Sequence, residues 1–74
     1  MPDDELAQVA RAIVAGRRQT QIAEDLGWHK QRVQRRIAKL RATVAAVRGA
    51  EWLTPAHSAT AVAREWLSIQ ERLG

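Results

Sequence analysis

The sequence predicts an all-α protein, a small four-helix domain with a long third helix and a C-terminal helix for packing or dimerisation. Three observations carry this. Apolar residues recur at helical spacing in every extended stretch, as at Leu6, Val9, Ala10, Ile13 and Val14. No Gly or Pro run opens a long linker between these stretches. Gly16, Gly27 and Gly49 fall where one periodic stretch stops and the next begins, dividing the chain into helix-sized pieces.

The whole of 1–74 reads as one domain: a support helix over 3–15, two helices around a tight turn over 19–40, then an extension and last helix over 41–74. At 74 residues it lies near the lower limit for a chain that buries its own core. Asp3 is the expected cap of the first helix, with Asp4 and Glu5 in the first turn at the positive end of the dipole. Met1 and Pro2 are expected to fray, and Gly16 to stop the helix. In the second piece Ile22, Ala23 and Leu26 share one face, and Gly27 follows at a position suited to positive φ. Trp28 supplies a large apolar plug after it. The third helix starts near His29, and Val33, Ile37 and Leu40 cluster within about 60° of arc at about 100° per residue. Val44 and Val47 extend that stripe, so the helix is expected to run to Arg48. Ala50 to Leu53 are expected to form a connection or a single turn. Thr54 before Pro55 predicts the start of the last helix, with Thr as cap and Pro first in the helix. That helix aligns Ala59, Val62, Trp66, Ile69 and Leu73.

The residues Ile22, Ala23, Leu26, Gly27, Trp28, Val33 and Ile37 resemble, in order, the apolar and turn positions of the helix-turn-helix of bacterial DNA-binding proteins. The stretch is similar to response-regulator output domains, sigma-factor promoter-reading domains and resolvase or transposase DNA-binding domains. It spans about a third of the chain, or two thirds with the support helix. Arg18 and His29 depart from the pattern, standing where Ser, Thr, Asp or Asn would cap the two helices. The resemblance implies binding to double-stranded DNA, with the second helix of the pair as the reader.

Charge placement agrees with that implication. The net charge is only +4, but residues 16–48 carry +7, against −2 before them and −1 after. A basic centre between mildly acidic flanks is the footprint of a phosphate-binding surface. On the third helix the side away from Val33, Ile37 and Leu40 carries Gln31, Gln34, Arg35 and Ala38. Gln pairs bidentately with adenine and Arg with guanine, and Ala meets a thymine methyl, so Gln31, Gln34 and Arg35 are the candidate base readers. Arg17, Arg18, His29, Lys30, Arg32 and Lys39 are the candidate phosphate contacts. Arg36 lies beside the core face and is expected to snorkel along the helix.

Catalysis and metal binding find no support. His29 and His57 lack carboxylate or thiol companions at ligand spacing, there is no cysteine, and no Gly-rich phosphate loop occurs. The expectation is a non-enzyme without cofactor or small-molecule ligand, located in the cytoplasm and on the nucleoid when bound to DNA. No signal peptide and no membrane span is read. Trp28 is expected in the core, and Trp52 and Trp66 in the core or a dimer seam. A homodimer is expected because one reading helix covers few base pairs, with Val44, Val47, Trp52, Val62, Trp66, Ile69 and Leu73 as its seam. The competing arrangement folds the last helix back over the first and uses that surface within one chain. The favoured function is a small transcriptional regulator of bacterial or phage type. The alternatives are a DNA-handling accessory in excision, recombination or phage genome packaging, and a protein-interaction module with a vestigial motif.

Overall fold

The computed structural model describes residues 4–73, which form four α-helices and no strand: α1 (Asp4–Val14), α2 (Gln19–Leu26), α3 (Lys30–Arg48) and α4 (Ala59–Leu73). A 3₁₀ turn at Ala50–Leu53 joins α3 to the loop before α4. The Asp3 cap and the readings of Met1, Pro2 and Gly74 lie outside the described residues.

Local chemistry accounts for the helix ends. Beyond α1 the Gly16 N–H donates to Ile13 O at 3.0 Å and the Arg17 N–H to Ala12 O at 3.0 Å, the paired bonds of a Schellman stop. The same pattern closes α2, where Trp28 N donates to Ala23 O at 2.8 Å and Gly27 N to Glu24 O at 3.3 Å. Gly27 takes φ +69°, ψ +31°, a left-handed conformation that a Cβ would strain, so this turn is encoded by the missing side chain. At the start of α2, Arg18 cannot accept a cap bond. Gln21 acts instead, its Oε1 accepting the Arg18 backbone N–H at 2.9 Å, which is half of a capping box. His29 makes no side-chain cap to α3.

The last helix starts later than the sequence predicts. Thr54 and Pro55 lie in the loop, and Ser58 caps α4, its Oγ accepting the Ala61 N–H at 3.2 Å. The cause is Arg41. Its guanidinium Nη1 donates to the carbonyls of Trp52 (3.4 Å), Thr54 (3.0 Å) and His57 (2.8 Å). Carbonyls turned toward Arg41 are not available to N–H groups four residues on, so a helix cannot propagate through them. Thr54 Oγ1 closes the preceding 3₁₀ turn by donating to Glu51 O at 2.8 Å. Within the loop the Trp52 and His57 rings stack at 3.9 Å, 16° from parallel.

α4 packs against both α1 and α3, and α1 and α2 pack against α3. The core draws on all four helices: Leu6, Val9, Ala10 and Ile13; Ile22 and Ala23; Val33, Ile37, Leu40 and Val44; Val62, Ala63, Trp66 and Ile69. Among the described residues no polar or charged side chain is buried, so the interior is held by apolar burial alone. Each aliphatic side chain of Leu or Val size that is fully covered contributes about 1.5–3 kcal/mol of transfer free energy.

This arrangement corrects the expected dimer seam. Val44, Val62, Trp66 and Ile69 are core residues of a single chain, because α4 folds back over α1 and α3. Of the seam, Val47 and Leu73 remain well exposed, at 56% and 78%, and Trp52 is half-buried. Trp28 is half-buried against the core, and Trp66 lies within it.

Candidate nucleic-acid interface

α3 holds seven Lys or Arg and no Asp or Glu. Its buried residues Val33, Ile37, Leu40 and Val44 define the side packed on the protein, and Gln31, Gln34, Arg35, Ala38 and Lys39 are all exposed. The three candidate base readers therefore stand together on an outward surface. Gln31, Gln34 and Arg35 follow one another at intervals of three and one, adjacent on that surface at about 100° per residue. Ala38 continues the row with a small apolar group. Lys30 and His29 are exposed at the N-terminal end of α3, and Arg18 at the N-terminal end of α2. Among the described residues Arg18, Lys30 and Arg35 form no ion pair within the chain, which leaves their charges to the solvent side.

Among the expected phosphate contacts, Arg17 and Arg32 make ion pairs inside the molecule. Arg17, in the connection between α1 and α2, pairs with Asp25 in the last turn of α2, both side chains about half exposed. Arg32 donates from Nη2 to Glu5 Oε2 at 2.5 Å, and its guanidinium carbon lies 4.2 Å from the centroid of a Trp28 ring. Arg36 reaches the other oxygen of the same carboxylate, Nη2 to Oε1 at 3.0 Å. Glu5 thus ties α1 to two consecutive turns of α3. Arg32 thereby braces the turn, with a carboxylate and an aromatic face holding its side chain. Arg36 runs to the surface beside the core, as the snorkelling expectation has it.

Sequence reasoning missed Glu5 and Arg41. Glu5 is 27 residues from Arg32, and its place in a first helical turn already had an adequate local reason in the dipole. Arg41 was one more cation in a basic run. Its three carbonyl partners have no side-chain signature, so no pattern of residue types announces the clamp.

Other chemistry has little to build on. Among the described residues no group of three His, Cys, Asp or Glu is placed to hold a metal ion, and no helix is long and apolar enough to cross a membrane. An open apolar groove of about 230 Å³ lies between the C-terminal ends of α3 and α4, lined by Val47, Arg48, Ile69, Arg72 and Leu73. No protein-family model, curated protein or solved structure matches the chain, so its function rests on residues and geometry alone.

Proposed function

We propose that this protein binds double-stranded DNA sequence-specifically, laying the first half of α3 in the major groove, and acts as a small transcriptional regulator. One observation carries the reading. Gln31, Gln34, Arg35 and Ala38 form a continuous exposed row opposite the buried seam of a helix that bears no acidic residue. An α-helix about 10–12 Å across matches the major groove, about 12 Å wide. The exposed amides and guanidinium supply the donors and acceptors that read adenine and guanine edges. Arg18, His29, Lys30 and Lys39 sit around this row as phosphate contacts, fixing register without reading sequence.

Pairing of two copies belongs to the proposal in a reduced form, through Val47 and Leu73 at the groove between the ends of α3 and α4. Arg35 and Val47 are about 18 Å apart along one continuous helix at about 1.5 Å per residue. Two copies meeting at the groove therefore place their reading rows up to about 36 Å apart, within reach of half-sites one helical turn, about 34 Å, from each other.

The test is selection of bound duplexes from a random pool, followed by titration of the winner and of random duplex against salt. The expected outcome is a recurring sequence and an affinity that falls steeply with salt, by a log–log slope of about −0.9 for each phosphate neutralised. No enrichment and no salt-dependent binding would leave the interaction-module alternative in its place.

A further inference from the structure

Asp25 is placed where helix stability gives it no reason to be. It stands in the last turn of α2, where the macrodipole is negative and a carboxylate is disfavoured. Its neighbour Glu24 is also exposed, but among the described residues Glu24 makes no ion pair, and Asp25 does. The partner is Arg17, whose backbone is anchored by the Schellman bond to Ala12 O. Only the side chain of Arg17 is therefore left to choose between partners. With 44% of the Arg17 side chain and 51% of the Asp25 side chain exposed, the pair is open to water and to exchange. The Glu5 contact is different in kind, since one carboxylate there grips two arginines and the Trp28 face backs one of them.

We propose that Asp25 limits electrostatic binding to duplex DNA by holding Arg17 in an ion pair that a phosphate must displace. This inference rests on the DNA-binding reading and names a control on the same surface. Its physical content is a balance of counterions. An unpaired arginine that neutralises a phosphate releases one condensed counterion from the DNA. When Arg17 leaves Asp25 to do so, the freed carboxylate recruits a cation, and the net release is close to zero. Asp25 thereby suppresses the sequence-independent part of the affinity and spares the part carried by Gln31, Gln34 and Arg35. The consequence is weaker and less salt-dependent binding to specific and random duplex alike than the +7 of residues 16–48 would otherwise permit.

The experiment titrates five proteins with random duplex against salt: the parent, Asp25→Asn, Glu24→Gln, Arg17→Ala, and the double variant Arg17→Ala with Asp25→Asn. Asp25→Asn is expected to bind more tightly with a log–log slope steeper by about 0.9, so that its advantage shrinks about 3.5-fold between 50 and 200 mM salt. Glu24→Gln is expected to leave the slope of the parent in place. In the Arg17→Ala background, Asp25→Asn is expected to change nothing. If Asp25→Asn and Glu24→Gln behave alike, or if Asp25→Asn acts equally with and without Arg17, the effect is plain through-space repulsion and the inference is overturned, while the DNA-binding reading stands. A parent that shows no salt-dependent binding overturns both. Thermal melting of Asp25→Asn is expected to match the parent, since the side chain is half exposed and at an unfavourable helix end.

Discussion

Arg35 and Lys30 carry the same charge on the same exposed stretch of α3, yet their positions assign them different work. Arg35 stands in the middle of the row with Gln31 and Gln34, and Lys30 at the end of the helix. Arg35→Ala is expected to cost roughly 1–3 kcal/mol on the preferred sequence and to relax preference at one base position. Lys30→Ala is expected to weaken all duplexes about equally and to flatten the salt slope by about one phosphate. Equal losses on specific and random duplex in both variants would contradict this division. Arg41 illustrates a cation that serves the fold instead. Its Nη1 is the common donor to three loop carbonyls, and Arg41→Ala leaves all three to find water. The expected loss is about 1.5–3 kcal/mol, read as a fall of roughly 6 °C or more in Tm. An unchanged Tm would mean that solvent replaces the clamp without cost.

Among the elements, the α2–turn–α3 unit is specified by one small residue and one absent side chain. Ala23 is buried in the core, so a larger side chain there must displace its packed neighbours. Ala23→Leu is expected to overpack this region by about 1–3 kcal/mol. Gly27 differs, because a Cβ added there meets no atom within 4 Å and the obstacle is its positive φ alone. Gly27→Val is accordingly expected to cost about 1–2 kcal/mol, and Gly27→Asn less, since Asn visits the left-handed region more readily. Urea unfolding separates them. Equal destabilisation by Val and Asn would show that space, not backbone conformation, decides the turn. The late start of α4 makes a related point. Thr54-Pro55 is an adequate local helix start, but the Arg41 clamp and the Ser58 cap together outweigh it.

Considered as a whole, the molecule has already used most of the apolar surface that suggested a dimer. Trp66 is 2% exposed, so Trp66→Glu would unfold the domain instead of splitting a pair. Even Trp66→Ala is expected to cost about 3–5 kcal/mol, a large share of the stability of so small a domain. The groove beside Val47 and Leu73 is modest, and the expected result of sedimentation equilibrium at micromolar concentration is a monomer. On duplex with two half-sites one helical turn apart, two copies are expected to bind cooperatively. Leu73→Ser is expected to abolish that cooperativity and leave single-site affinity and Tm unchanged. A free dimer that survives Leu73→Ser would place the seam elsewhere.

The all-α class, the glycine stops of α1 and α2, the ends of α3, and the division of α3 into a buried and an exposed side were legible from residue order. Each depends on interactions within a few positions: apolar spacing, a glycine after a periodic stretch, the turn of one helix. The row of Gln31, Gln34 and Arg35 follows from the same periodicity, because a residue's side of a helix is set once its neighbours are buried. Partner choice among the charges was not legible. Whether a basic residue meets Glu5, Asp25, a loop carbonyl or water depends on which helices cross nearby, and those crossings join residues 8 to 31 positions apart. The fate of the α4 face was undecided for the same reason. Val62, Trp66 and Ile69 announce that they will be buried, and only the packing of α4 on α1 and α3 determines that their own chain buries them.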